Sequence, residues 1–200
     1  MKKFLHVGCG PHTKKNTTPE FRSDRWTEVR LDIDEAVEPD IVSSVLELDD
    51  IESNSFDSIF TSHNIEHVHA HEIPMMLSGF LRVLKPKGYL VVTCPNLMKA
   101  AQLIVQDKLT EPAYISPVGP ITPLDILYGH DKAIEGGNEY MSHKTGFTPK
   151  TLGAALQKAG FNKVALTALE NKFDMWAFAT KSDISNSDLQ EIVAAHLGTT

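Results

Sequence analysis

The 200 residues, 42% hydrophobic and 22% charged, suit a globular chain that buries one core, as one domain or one domain with a sizeable insertion. Nineteen basic against 26 acidic residues give a net charge of −7 with no basic stripe, which weighs against a nucleic-acid partner. Cys9 and Cys94 stand far apart and outside any CxxC pair, which speaks against a disulfide framework or a zinc ribbon and for a reducing compartment. The few apolar residues after Lys2 and Lys3 are too short for a signal-peptide core, and no run reaches membrane-spanning length. The expectation is a cytoplasmic protein without a membrane partner.

In chain order, Phe4 to Val7 reads as a buried strand that ends at glycine. Pro11 to Arg25 is polar loop, with one helical turn near Glu20. Strands come next at Glu28–Asp32, Asp40–Val45 and Phe56–Thr61. Apolar positions Ile73, Met76, Leu77, Phe80, Leu81 and Leu84 recur at helical spacing, predicting a helix over about His71–Leu84. Pro74 is tolerated there because it falls in the first turn. Lys85-Pro86-Lys87-Gly88 stops that helix, and Tyr89–Cys94 is the next strand.

After Pro95 the pattern changes. Leu97–Leu109 has helical character, but Pro112, Pro117, Pro120 and Pro123 interrupt the stretch beyond it, so residues 97–146 read as an insertion that serves as a lid or substrate cover. Thr148-Pro149 is an N-cap with proline at the first helical position, and Gly160 ends that helix. Phe161–Leu169 and Phe173–Thr180 are two antiparallel strands joined by a short turn through Asn171. A short amphipathic helix, about Ser187–Leu197, lies in a tail of residues 182–200. The expected organisation is therefore one domain over 1–181 plus that tail. Strands alternating with helices predict an α/β, doubly wound, mostly parallel sheet with ligands at the strands' carboxyl ends.

Three constellations carry chemistry. The first is a strand, Gly8-Cys9-Gly10, a loop, and Asp32 closing the next strand. Glycine lets backbone approach a ligand closely, and the acid accepts hydrogen bonds from ribose hydroxyls. A dinucleotide site would need a third glycine opening a helix under the pyrophosphate. Pro11 to Asn16 supplies neither, which fits a cofactor without phosphates.

The second is His63-Asn64-Ile65-Glu66-His67, with His69 and His71 behind it. On a helix, His-x-x-Glu-His is a zinc-peptidase pattern. Here a strand delivers His63 into a loop and no third ligand stands out downstream, so a zinc hydrolase built on His63, Glu66 and His67 is the weakest alternative and no metal is expected. Glu66 and His67 either cap the next helix or take part in chemistry, and His69 and His71 are solvated. The third lies in the insertion, where His130 and His143 are candidates to take a proton from an acceptor. His143 could equally fasten the insertion by hydrogen bonds, and Tyr128 and Tyr140 could be packing or pocket walls.

Taken together, His6–Gly10, Trp26–Asp34, Asp40–Val42, Asn54–Ile59, Ser62–His67 and Arg82–Leu90 succeed one another over about residues 4–96. His143–Thr148 and Ala159–Phe161 come later. In these stretches the chain resembles the class I S-adenosylmethionine-dependent methyltransferases, of the methyltransferase type 11 kind in its compact bacterial branch. The resemblance implies a Rossmann-like three-layer sandwich with an antiparallel C-terminal strand. It implies S-adenosylmethionine as cofactor, S-adenosylhomocysteine as product, and a small-molecule acceptor. Gly8 and Gly10, with Cys9 between them, would meet the methionine part; Asp32, followed by Ile33, the ribose; Ser44 and Val45 the adenine; Ser62 and His63 would flank the cofactor.

The chain departs from the family in three places. Ser44 stands where many relatives have aspartate, the leading helix before the first strand is absent, and the first crossover is short. A thinly covered sheet face would then call for the insertion or a homodimer. Thr93-Cys94 matches the placing in RNA cytosine methyltransferases, but Thr61-Ser62-His63-Asn64 lacks the second cysteine those enzymes need. No Asn-Pro-Pro-Tyr element comes after the fourth strand, so amide and adenine amino methylation lose support. The remaining alternative is a non-catalytic S-adenosylmethionine-binding or regulatory protein of the same fold.

Overall fold

The computed structural model describes residues 1–169 and 172–198, so the turn expected at Asn171 lies outside the described residues. Along the chain run β1 (Lys2–Val7), α1 (Pro19–Arg22), β2 (Trp26–Asp32), β3 (Ile41–Val42), β4 (Phe56–Ser62), α2 (Ile73–Val83) and β5 (Leu84–Pro95). Then come α3 (Leu97–Val105), β6 (Tyr114–Ser116), β7 (Gly119–Ile121), α4 (Pro123–Tyr128), α5 (Asp131–Glu135), α6 (Pro149–Ala159), β8 (Lys163–Ala168), β9 (Asp174–Thr180) and α7 (Asn186–Leu197).

Seven strands form one sheet in the order β3-β2-β1-β4-β5-β9-β8, and β6 and β7 form a separate hairpin. The pairs β1–β2, β1–β4, β2–β3 and β4–β5 are parallel, whereas β9 runs antiparallel to both β5 and β8. This is the doubly wound sheet with an antiparallel strand near the C-terminus that the sequence leads one to expect. The chain steps from β1 outward to β2 and β3, then returns to the other side of β1 as β4. Strand order thus reverses between β1 and β4, which opens a crevice at their carboxyl ends. Val7 lies level with Leu31 on one side and Thr61 on the other, so Gly8, Asp32 and Ser62 leave the sheet along one edge.

Alternation along the strands separates two faces. Leu5, Val7, Leu31, Ile59, Leu90 and Val92 point to a core closed by α2 and α6. Thr148 caps α6 through the Thr151 amide, Pro149 opens it, and Gly160 ends it at φ +106°, as the sequence indicates. The opposite face carries Phe4, Phe60, Val91 and Phe178, joined by Phe21, Trp26 and Leu189.

That second face was expected to need the insertion or another copy of the chain; α1 and α7 supply its cover instead. Phe21 of α1 stacks on Phe4 with ring centroids 4.3 Å apart. His196 of α7 sits 4.5 Å from the Phe21 ring centroid, with Nδ1 2.7 Å from Thr18 Oγ1 and Nε2 3.0 Å from the Tyr89 hydroxyl. The last helix is therefore fastened to the start of α1 and to β5 by one buried imidazole.

Two strands differ from expectation. β3 covers only Ile41–Val42, because Ser43 Oγ donates to Glu47 O at 2.7 Å and the Leu46 amide donates to Ser44 Oγ at 3.2 Å. These local bonds draw the backbone away from the ladder. β5 begins at Leu84 rather than Tyr89, and its register with β4 jumps between Phe56–Leu84 and Ser58–Tyr89, so Lys85–Gly88 is absorbed as an irregularity of the strand. Beyond β5, Ala100, Ile121 and Ile126 make a small core of their own between α3, the hairpin and α4. Among the described residues, no helix is long and apolar enough to cross a membrane.

Burial of His196 gives a measurable consequence. Desolvation of the imidazolium lowers its pKa to about 4, below the ordinary value of 6.5. The unfolded chain therefore binds this proton first, and the stabilisation present above pH 6.5 is lost as pH falls toward 4. The loss amounts to about 3 kcal/mol. Thermal melts across that range should show a falling Tm, and His196→Gln should make the fall shallower; an unchanged slope would contradict this.

Candidate active site

Gly8 and Gly10 turn the chain at the carboxyl end of β1, at φ +62° and +52°. A Cβ on Gly8 would lie 2.2 Å from Asn64 Nδ2, so glycine is what lets the turn pack under the loop after β4. A Cβ on Gly10 would meet nothing within 4 Å; that space belongs to a cavity of about 360 Å³. Gly8, Gly10, Asp32, Ile33, Ser44, Val45 and His63, seven of the expected cofactor residues, all line it. Cys9 and Ser62 do not. Cys9 turns into the core, where burial raises its pKa to about 11, and Ser62 Oγ pairs with Thr93 Oγ1 at 2.7 Å.

Asp32 is committed twice to backbone, accepting from the Gly10 amide at 2.7 Å and from the Asp34 amide at 3.0 Å. A carboxylate offers about four acceptor positions, so it retains capacity for a ligand's hydroxyls. Asp34 and Glu72 line the same cavity. Three acids and no phosphate cradle suit a cationic ligand. Asn64 also lines this cavity, and its side-chain oxygen is buried without a hydrogen-bond partner.

Sequence reasoning passed over Arg30, which shapes this cavity from behind. Its guanidinium donates to the carbonyls of Gly10 (2.7 Å), His12 (3.0 Å), Val37 (3.0 Å) and Glu38 (2.7 Å). One planar fork thus clips the glycine turn to the loop after β2. No sequence signal marks an arginine in mid-strand for this; its partners are carbonyls, which every residue carries.

The His63–His67 segment leaves β4 with His63 at φ +51° and tightens into a single 3-10 turn, Ile65–His67. His63 and His67 do not share a face of an α-helix, so the zinc-peptidase arrangement is not formed. Glu66 is 1% exposed and faces His63 Nδ1 at 3.3 Å. Burial alone would raise the Glu66 pKa, but His63 and then His67 hold it below the usual carboxylate range. Burial would likewise lower the His63 pKa, yet the facing carboxylate lifts it above its ordinary value. The Glu66 carbonyl accepts from the amides of Lys144 (2.8 Å) and Thr145 (3.1 Å), which ties the motif to the end of the insertion.

A second cavity, of about 450 Å³, opens beside the first. His130 and His143 both line it, with Glu66, Tyr114, Phe173 and Asp174. His143 is half-buried and fastened twice: its amide donates to Tyr128 O at 3.0 Å, and its Nδ1 donates to Ile126 O at 3.0 Å. Burial lowers its pKa, so its Nε2 keeps a free lone pair at neutral pH. His63, His67, Asn138 and Met141 belong to both cavities and form the wall between them. Tyr140 borders the first cavity, whereas Tyr128 is 66% exposed. His69 and His71 are exposed, as expected, and Cys94 is a buried core thiol whose pKa burial raises.

Residues 5–92 match the family model described as "Methyltransferase domain". No curated protein matches the chain in sequence. Among solved structures, a putative S-adenosylmethionine-dependent methyltransferase from Listeria monocytogenes superposes with TM-score 0.60 at 14% identity, over 91% of this chain and 90% of the other. A similar match is to a methyltransferase from Methanosarcina mazei, with TM-score 0.59, 18% identity, and 90% and 92% covered. Another is the 1,6-didemethyltoxoflavin-N1-methyltransferase of Burkholderia thailandensis, solved with 1,6-didemethyltoxoflavin and S-adenosylhomocysteine, with TM-score 0.56, 16% identity, and 91% and 72% covered. The family match places a methyltransferase-domain pattern on residues 5–92, and the fold over nearly the whole chain is the one these S-adenosylmethionine-dependent methyltransferases share.

If Arg30 holds the glycine turn in its binding shape, Arg30→Ala should weaken S-adenosylhomocysteine binding by about tenfold or more, the worth of one or two lost charge-assisted bonds. Calorimetric titration measures this directly. Unchanged affinity would show that the turn keeps its shape without the clip.

Proposed function

We propose that the protein transfers a methyl group from S-adenosylmethionine to a small-molecule acceptor held in the second cavity. The observation that carries this reading is the shared wall: His63, His67, Asn138 and Met141 border both cavities. When bound, the cofactor supplies a methyl group on a sulfonium, already activated for attack. The chain's work is then to hold two ligands in line and keep water out. Gly8, Gly10, Asp32, Ile33, Ser44, Val45 and His63 would hold the cofactor, with Asp32 on its ribose hydroxyls. The segment Asn138–Lys144, from the end of the insertion, roofs the cofactor cavity and so couples the lid to the site.

The acceptor cavity has the size of small-molecule pockets in general. Among the described residues its lining has four histidines, three acids and no lysine or arginine, which supports a metabolite over a nucleic acid. We place His143 and His130 against the acceptor, with His143 offering a neutral imidazole at physiological pH. Buried free thiols at Cys9 and Cys94 fit a reducing compartment, and we assign the protein to the cytoplasm. With α7 closing that face, thin cover of the sheet is no longer a reason to expect a homodimer.

Two measurements test the reading. S-adenosylhomocysteine should bind with one site per chain, and Asp32→Ala should abolish that binding. With a panel of hydroxylated and amino metabolites, methyl release should be seen for the wild type and fall about a hundredfold in His143→Ala with cofactor affinity retained. Binding without methyl release on any acceptor would favour the regulatory alternative, and absence of binding would sink both.

A further inference from the structure

At the floor of the acceptor cavity, Glu66, His67 and His143 each bring one ligand-type atom within 4.8 Å of the others. Three features show that this cluster is built rather than accidental. Both carboxylate oxygens of Glu66 are buried and lack a hydrogen-bond partner, although the His63 ring faces one of them at 3.3 Å. A buried carboxylate left in that state is costly to the fold unless something else satisfies its lone pairs.

The two imidazoles are held the same way. His67 Nδ1 lies 3.0 Å from Ser142 O, and His143 Nδ1 lies 3.0 Å from Ile126 O. A carbonyl can only accept, so each Nδ1 carries a proton, and in the neutral ring each Nε2 presents a lone pair. Metal-binding histidines are oriented in this manner, with the distal ring nitrogen fixed by a carbonyl or carboxylate. The rings themselves sit 4.9 Å apart at 67°.

The cluster is also assembled from distant parts of the chain. Glu66 and His67 come from the turn after β4 and His143 from the end of the insertion. The bonds from the Lys144 and Thr145 amides to the Glu66 carbonyl bring them together. No third ligand stands out in the sequence because that ligand lies 76 positions beyond His67 (143 − 67).

We infer that Glu66, His67 and His143 bind a divalent transition-metal cation, and that its open position takes an oxygen donor of the acceptor. Two imidazoles and one carboxylate suit zinc and its neighbours rather than calcium or magnesium. Three protein ligands leave at least one position free for substrate. The inference rests on the proposed methyl transfer only for the identity of that substrate; the cation site stands on the cluster alone. It also narrows the role of His143, whose Nε2 lone pair would hold the cation rather than a proton. Acceptors with a hydroxyl or carboxylate oxygen would be preferred over purely apolar ones.

The full chain, stripped with a chelator, is titrated calorimetrically with Zn²⁺ and separately with Co²⁺ monitored by visible absorption. S-adenosylhomocysteine affinity is measured on the same samples. One Zn²⁺ per chain is expected, together with the d–d bands of Co²⁺ bound to nitrogen and oxygen. Glu66→Gln and His143→Asn should each weaken Zn²⁺ about a hundredfold or more while S-adenosylhomocysteine affinity stays within about threefold, which also shows that both variants fold. Replacing the stacked surface pair, His69→Ala with His71→Ala, should change nothing.

Wild-type protein that binds S-adenosylhomocysteine but not Zn²⁺ would overturn the cation site and leave methyl transfer untouched. Zn²⁺ binding that survives Glu66→Gln and His143→Asn and disappears with His69 and His71 would overturn it too. Zn²⁺ binding without S-adenosylhomocysteine binding would support the cation site and overturn the methyl-transfer reading alone.

Discussion

The reversal of strand order between β1 and β4 is the constraint on which the rest of the molecule depends. Adjacent parallel strands with connections leaving in opposite directions must open a gap at their carboxyl ends. Into that gap run the glycine turn from β1, the Asp32 loop from β2, and the His63–His67 loop from β4. Each of these loops holds no more than short helical turns near the site. Each is pinned by polar bonds: Arg30 across the first two, Asp32 to the Gly10 amide, and the Glu66 carbonyl to the insertion. The packed sheet supplies rigidity, and these bonds transmit it to the site.

Energetically the molecule is built of two unlike halves. The face under α2 and α6 is mostly aliphatic, with Phe80 of α2 buried within it, in keeping with helices that bury one stripe. The other face is aromatic, with Phe4, Phe21, Trp26 and Phe178 around the buried His196. A four-residue α1 can cover little of it, so α7 from the other end of the chain completes the layer. The site is asymmetric in the same way. Both cavities carry three acids and share His63 and His67, but the cofactor side is glycine- and serine-lined, whereas the acceptor side adds His130 and His143.

Much of this was legible in the sequence because periodicity and glycine placement are local signals. The strands of the first half, the capped helix α6 and the cavity residues Gly8, Gly10, Asp32, Ser44, Val45 and His63 all come from local pattern and the resemblance it supports. What escaped was non-local. Arg30 works through carbonyls contributed by residues that carry no sequence mark. The apposition of Glu66 and His67 with His143 depends on where a proline-broken insertion returns to the fold. Ser62 shows the converse limit: its position after β4 suggested a ligand contact, but a neighbouring strand's Thr93 hydroxyl satisfies it first. α7, expected as part of a tail, completes a sheet face because coverage is a property of the whole layer rather than of any window of sequence.

The central claim is that methyl transfer occurs across the wall formed by His63, His67, Asn138 and Met141. A crystal structure of the protein with S-adenosylhomocysteine tests it most directly. The account requires the ribose at Asp32, the adenine beside Ser44 and Val45, and the sulfur directed at that wall toward the second cavity. A ligand seated elsewhere, or one whose sulfur faces away from the second cavity, would contradict it.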